Sequence, residues 1–141
     1  AGFTLIELLV VVAIIAIIAA FAYPSYMNYV VNTKRTAGTS ALMQIADRQQ
    51  QFFMDNKQFA ASLANLGFAA NPWVVDDQGS STVAGDAGAV YSVTLTNVTQ
   101  TTWTATAAPL NGQLSRDTDC GSLSITQAGT KASTGGGNNC W

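Results

Sequence analysis

The sequence predicts an α+β fold in which one long N-terminal helix packs against a small antiparallel β-sheet. The first 55 residues carry apolar side chains at helical spacing. Three later segments alternate apolar and polar residues, a pattern that is typical of strands with one buried face. Cys120 and Cys140 enclose a Gly-rich segment near the C-terminus. We therefore expect a disulfide-bounded loop after the sheet.

The helix begins with an apolar run, Phe3 to Tyr23, that contains a single charged residue, Glu7. Its 21 residues would form a helix of roughly 30 Å, which is the thickness of the hydrocarbon layer of a membrane. A carboxylate in such a run is costly unless something neutralises it. The helical pattern continues beyond the run, which argues against a cleaved secretory signal.

The second half of the helix, residues 24–55, is predicted to be amphipathic. Its apolar stripe recurs every four or seven residues and is expected to form core: Tyr26, Val30, Ala37, Ala41, Ile45 and Phe52. Pro24 removes one backbone hydrogen bond and is expected to kink or loosen the helix. Gly38 is a second weak point, which costs up to about 1 kcal/mol relative to alanine.

Residues 56–88 lack periodicity and are predicted to form a surface connection, with a short helix around Ala60–Leu66. Residues 89–141 are predicted to hold the sheet and the cysteine-bounded loop. Period-two alternation predicts strands over 91–96, 102–107 and 122–126. Thr99–Thr101 is short enough to link the first two as a hairpin. The Gly/Asn-rich tail, Ser133–Asn139, is expected to be flexible unless something holds it.

The composition limits the function classes. Only 10% of residues are charged, the net charge is −2, and histidine is absent. We therefore predict no catalytic residue, no cofactor and no metal site, although Asp117-x-Asp119 is a weak candidate for Ca²⁺. The sequence shows no broad basic surface, which argues against nucleic acid as a partner. The two cysteines indicate one disulfide in an oxidising compartment, worth about 3 kcal/mol by chain entropy.

Two sets of motifs resemble a known family. The block Gly2–Leu8 (GFTLIEL), followed by the apolar run and Tyr23–Tyr26 (YPSY), resembles the N-terminus of type IV pilins and of the related pseudopilins of type II secretion. The C-terminal segments Cys120–Leu123 (CGSL), Gly129–Lys131 (GTK) and Cys140–Trp141 are similar to PilE/ComP-type pilins of Gram-negative bacteria. The connection over residues 56–88 resembles no segment of the family in particular.

The resemblance implies a mode of processing and a set of partners. A prepilin peptidase would cut after Gly2 and methylate the new N-terminal residue, Phe3. The unassembled chain would wait in the inner membrane with its C-terminus in the periplasm. An inner-membrane assembly platform would then add it to an extracellular helical filament of identical and related pilins. Such filaments serve adhesion, twitching motility or DNA uptake.

The resemblance also assigns the assembly residues Phe3, Thr4, Glu7 and Pro24. The Glu7 carboxylate would neutralise the N-terminal ammonium of Phe3, in the same or a neighbouring subunit. A purely local alternative is a capping box, since Thr4-x-x-Glu7 precedes an apolar run. Pro24 would let the helix melt locally when a filament is stretched, or would be an ordinary membrane-helix proline.

Two alternative functions remain open at the level of sequence. One is a minor pilin that acts as a DNA-uptake receptor within the filament. The other is a type II secretion pseudopilin, which the pair Cys120 and Cys140 disfavours because major pseudopilins generally have no C-terminal disulfide.

Overall fold

The computed structural model describes residues 2–141. Ala1, the first of the 55 residues assigned to the N-terminal segment, lies outside the described residues. In chain order the elements are α1 (Leu5–Asn56), a 3₁₀ turn (Ala64–Leu66), β1 (Trp73–Asp76), β2 (Ser81–Thr82), β3 (Ala89–Thr96), β4 (Thr104–Pro109), α2 (Asn111–Arg116), β5 (Leu123–Thr126) and β6 (Lys131–Ser133).

The chain divides into two compact units, Ala1–Asn32 and Thr33–Trp141. In the first unit the apolar side chains of α1 are exposed up to Tyr26, whereas Met27, Val30 and Val31 are half-buried. By length and composition, α1 is long and apolar enough to cross a membrane. The α-helix continues through Pro24. The missing N–H of this proline therefore does not end the helix in the single chain.

In the second unit α1 buries one face: Ala37, Gly38, Ala41, Leu42, Ile45 and Gln49. Its central residues belong to the same core cluster as the inner face of the sheet. The predicted stripe is confirmed at its centre, and Phe52 packs partly buried against this cluster. The stripe residue Val30 is half-buried. The prediction was wrong for Tyr26, which is 64% exposed, because the buried face of α1 begins only at Ala37.

The sheet has six antiparallel strands in the order β2-β1-β3-β4-β5-β6. The predicted α+β fold, a long helix packed against an antiparallel sheet, is confirmed. Val93 pairs with Ala107, which pairs with Leu123, and all three are buried. Thr94 and Thr106 pair on the opposite face. The period-two pattern thus correctly predicted β3, β4 and β5 and the face that each of them buries.

Four elements were not predicted. Two strands, β1 and β2, lie in the segment that was expected to be a connection without strands. The helix α2 has six residues, and β6 has three residues within the Gly-rich region. All four are too short to show a period of their own, and the short strands exist because a neighbouring strand pairs with them.

The Gly/Asn-rich tail is held in place by backbone contacts. The Gly135 N–H donates to the Cys120 carbonyl at 3.0 Å, and the Gly137 N–H donates to the Asp119 carbonyl at 2.7 Å. A Cβ atom on Gly137 would lie 2.6 Å from the Asp119 carbonyl oxygen. Glycine is therefore required there by the close approach of two backbone segments.

Gly38 lowers the helix propensity of α1, but it also has a role in packing. A Cβ atom at this position would lie 3.0 Å from two ring carbons of Tyr91. The absence of a side chain lets the fully buried Tyr91 ring lie directly against α1.

We predict that Gly38→Ala destabilises the protein by about 1–2 kcal/mol, because the strain of displacing Tyr91 exceeds the gain in helix propensity. Urea denaturation of the full chain in detergent measures this change. Ser40→Ala, at an exposed position of the same helix, is the matched control and should not destabilise. A stabilised Gly38→Ala protein would contradict the packing role.

Candidate functional site

The first candidate site is the start of α1, where Thr4 and Glu7 form a reciprocal cap. Glu7 Oε2 accepts hydrogen bonds from the Thr4 N–H at 2.9 Å and from the Thr4 hydroxyl at 2.7 Å. The Glu7 N–H donates to Thr4 Oγ1 at 3.3 Å. This is the capping-box geometry. The predicted capping box of Thr4 and Glu7 is therefore formed within one chain.

The cap uses only one oxygen of the Glu7 carboxylate. Among residues 2–141, no hydrogen bond reaches Oε1, and no cation forms an ion pair with Glu7. Gly2, Phe3 and Pro24 are exposed as well. The structure thus brings Thr4 and Glu7 together. It does not join Gly2, Phe3 or Pro24 to this pair by any side-chain hydrogen bond among residues 2–141.

The second candidate site is a buried polar network in the second unit. The guanidinium of Arg35, on α1, makes a two-pronged contact with the carboxylate of Asp117. The Nε–Oδ2 distance is 2.9 Å and the Nη2–Oδ1 distance is 2.5 Å. The Asp117 side chain is completely buried, and that of Arg35 is 13% exposed. A buried carboxylate needs such a partner, because an unpaired one costs several kcal/mol.

Two further donors complete the network from other elements. Tyr91, on β3, donates its hydroxyl to Asp117 Oδ2 at 3.3 Å. Gln113, on α2, donates from Nε2 to the same oxygen at 3.0 Å. The hydrogen bonds that Arg35 donates to Asp117 raise the pKa of Arg35 above its ordinary value. Burial is the main reason that the pKa of Tyr91 is raised to about 12.

The weak prediction of a Ca²⁺ site at Asp117 and Asp119 was wrong. Asp117 is buried and is bound by Arg35, whereas Asp119 is exposed. The two carboxylates therefore do not converge on a common site. No sequence signal could have identified the partner of Asp117, because Arg35 lies 82 residues away in the chain.

The predicted disulfide joins Cys120 and Cys140, with their Cα atoms 5.5 Å apart. The predicted disulfide-bounded loop is thus confirmed. Lys131 belongs to this loop, and its Nζ lies 5.0 Å from the ring centroid of Trp141, the residue after Cys140. The indole N–H of Trp141 donates to the Ala132 carbonyl at 3.0 Å. The loop therefore carries an exposed cation beside an aromatic ring whose position is fixed.

Comparison with protein families identifies the chain. A family model described as "Type IV minor pilin ComP, DNA uptake sequence receptor" matches residues 24–124, which is more than half of the sequence. The chain belongs to the type IV pilins. A second model, "Prokaryotic N-terminal methylation motif", matches residues 1–23. No curated protein matched the chain significantly.

The family matches confirm the resemblance drawn from the two sets of motifs. The ComP match also spans residues 56–88, the connection whose motifs resemble no particular segment of the family. Neither matched description names an enzyme.

We predict that the Tyr91 phenol makes the stability of this pilin fall as the pH rises from about 10 to about 12. The unfolded chain loses the phenol proton near 10.0, whereas the folded chain keeps it to about 12. The unfolded state is then the one stabilised by deprotonation. Denaturation midpoints across this range, compared between the wild type and Tyr91→Phe, measure the effect. An equally steep fall in Tyr91→Phe would contradict the assignment.

Proposed function

We propose that this type IV pilin polymerises through α1 into a pilus filament, with Glu7 of one copy pairing with the N-terminal ammonium of Phe3 in a neighbouring copy. One observation carries this proposal. Glu7 is the single charged side chain in an exposed apolar helix segment, and its carboxylate has one oxygen that no described residue binds.

The energetics favour a partner from another copy. A lone carboxylate in hydrocarbon is costly, and so is a lone ammonium. Bringing the two together in the apolar centre of a filament offsets much of both penalties. Copies in the wrong axial register would leave both charges unpaired. The pair would therefore select the register as well as promote assembly.

The cap and the intersubunit pair are compatible. Thr4 binds Oε2, which leaves Oε1 to accept from an ammonium group. The cap would fix the carboxylate near the N-terminal end of α1 before the neighbouring copy arrives. We therefore propose that Thr4 is a positioning residue for Glu7.

Processing would create the cation that Glu7 needs. The methylation-motif match over residues 1–23 implies processing by a prepilin peptidase, and we propose that it cuts after Gly2 and methylates Phe3. The new ammonium would then lie about one helical turn before Glu7. We propose that this occurs in the inner membrane, with the disulfide-bearing unit in the oxidising periplasm. The assembly platform would then transfer the chain to the extracellular filament, where Pro24 is the position at which α1 would loosen.

We predict that Glu7→Val and Glu7→Gln both abolish filaments without unfolding the second unit. Glu7→Gln is the sharper variant, because its amide oxygen can still accept the hydrogen bonds from Thr4 while its charge is gone. Electron microscopy of sheared filaments from cells that express each variant measures the outcome.

The matched control is Asp47→Asn, which neutralises an exposed acid in the second half of the same helix and should leave filaments intact. Filaments of normal number in Glu7→Val cells would contradict the intersubunit pair. Loss in Glu7→Val with normal filaments in Glu7→Gln would assign Glu7 to capping alone.

A second candidate function is supported by the ComP match, whose description names a minor pilin and DNA uptake sequence receptor. The second unit exposes few positive charges for binding DNA. The exposed cations of residues 33–141 are Lys57, Arg116 and Lys131, and the exposed acids are Asp47, Asp55, Asp77, Asp86 and Asp119. Because Arg35 neutralises Asp117, this acid does not counter Arg116 or Lys131. Any DNA contact would therefore be local and centred on the disulfide-bounded loop.

For this second candidate we predict sequence-selective binding with a shallow salt dependence. A few phosphate contacts give a slope of log K against log salt of about −0.9 per contact. Lys131→Gln should weaken binding and reduce that slope by about one. Gel shifts of the full chain in detergent, with genomic duplex fragments and random duplexes at low and moderate salt, measure both. Lys57→Gln, outside the loop, is the control. Equal binding of all duplexes would contradict a receptor role.

A further inference from the structure

Arg35 contacts both ends of the disulfide-bounded loop. Its carboxylate partner, Asp117, lies three residues before Cys120 in the sequence. Its Nη1 atom also donates to the carbonyl of Asn139 at 3.4 Å, and Asn139 immediately precedes Cys140. We infer that Arg35 is a non-covalent clasp that brings Cys120 and Cys140 together before they are oxidised, and that keeps the loop closed if the disulfide is reduced.

The first end of the loop is rigidly connected to Asp117. The Asp117 N–H donates to the Gln113 carbonyl at 2.9 Å, which closes the last turn of α2. The Gly121 N–H donates to the Asp117 carbonyl at 2.8 Å. These bonds place Cys120 at a fixed distance from the carboxylate. When Arg35 fixes Asp117 relative to α1, it therefore fixes Cys120 as well.

The second end is held by contacts that are independent of the sulfur–sulfur bond. Gly135 and Gly137 donate to carbonyls of the opposite segment, at Cys120 and Asp119. Trp141, just after Cys140, is tied to β6 through its indole N–H. Arg35 adds the contact to Asn139. These are hydrogen bonds that a reduced chain can also form, and they bring the two cysteines within reach of each other.

The guanidinium suits this task because of its shape. Arg35 uses Nε and Nη2 for Asp117, and its fork leaves Nη1 to contact Asn139. A lysine ammonium is a point charge that cannot reach both ends with fixed geometry. The buried carboxylate would also remain uncompensated without a cation. The clasp thus joins α1 to both segments that carry a cysteine.

Oxidation and clasp formation are thermodynamically linked. If a contact in the closed loop raises the equilibrium constant for disulfide formation by some factor, the disulfide raises the equilibrium constant for that contact by the same factor. In a glutathione buffer, one protein thiolate attacks oxidised glutathione and releases one glutathione thiolate. The second protein thiolate then attacks the mixed disulfide and releases the other. The two protein thiols lose two protons and two electrons, and one oxidised glutathione becomes two reduced glutathiones.

The test measures the effective concentration of one thiol relative to the other. The full chain in detergent is equilibrated in buffers of reduced and oxidised glutathione, quenched by alkylation, and scored by mass spectrometry. We expect Arg35→Gln to lower the effective concentration by at least tenfold. Lys34→Gln, which removes the neighbouring cation of the same helix, is the matched control and should equal the wild type. An unchanged value in Arg35→Gln would overturn the clasp.

A second variant keeps the test decisive if Arg35→Gln fails to fold. Arg35→Lys retains a charge for Asp117 but loses the fixed reach to Asn139, so it should fold and lower the effective concentration by a smaller factor. A wild-type value in Arg35→Lys would overturn the two-ended clasp.

Hydrogen exchange tests the reduced state directly. In the Cys120→Ser/Cys140→Ser protein, the amides of Gly121 and Gly137 should remain protected, and adding Arg35→Gln should remove that protection. Rapid exchange of both amides in the serine protein with Arg35 intact would show that the disulfide alone holds the loop. Since none of these measurements uses filaments or DNA, the inference can fail without affecting the proposed functions.

Discussion

The folded unit of this pilin depends on one buried charge and its partner. Asp117 has no exposed side-chain surface, and a carboxylate in that position is tolerated only when a cation and further donors surround it. Arg35 supplies the cation from α1, Tyr91 supplies a hydroxyl from β3, and Gln113 supplies an amide from α2. The requirement to satisfy one acid thereby holds a helix, a strand and a second helix in a single arrangement.

Glu7 and Asp117 present the same physical problem in two different settings. Asp117 is neutralised within its own chain, and the result is a fixed fold. Glu7 lies in an apolar helix segment with only a local cap, so its second oxygen is left for a group that the described residues do not supply. In the filament that we propose, a neighbouring copy would supply that group.

The disulfide-bounded loop is the surface on which the proposed DNA contact would be made. Its shape is set by backbone hydrogen bonds at glycines, by the covalent bond, and by Arg35. On this frame the exposed Lys131 ammonium lies near the half-buried Trp141 ring. A rigid support lowers the conformational entropy that the loop would lose on binding. The exposed acids of residues 33–141 outnumber the exposed cations, so such DNA contacts would be few.

Short-range patterns in the sequence determined much of this protein. The apolar run with Glu7, the stripe around Ala41 and Ile45, and the alternation in β3, β4 and β5 each depend on neighbours within a few turns or residues, so the family, the helix and the central strands could be predicted. Only the tertiary structure decided that Asp117 is buried against Arg35, that Gly38 makes room for Tyr91, and that β1, β2 and β6 join the sheet. The physical reason is that each of these features is created by a partner distant in sequence, and a partner of that kind leaves no periodic trace in the chain.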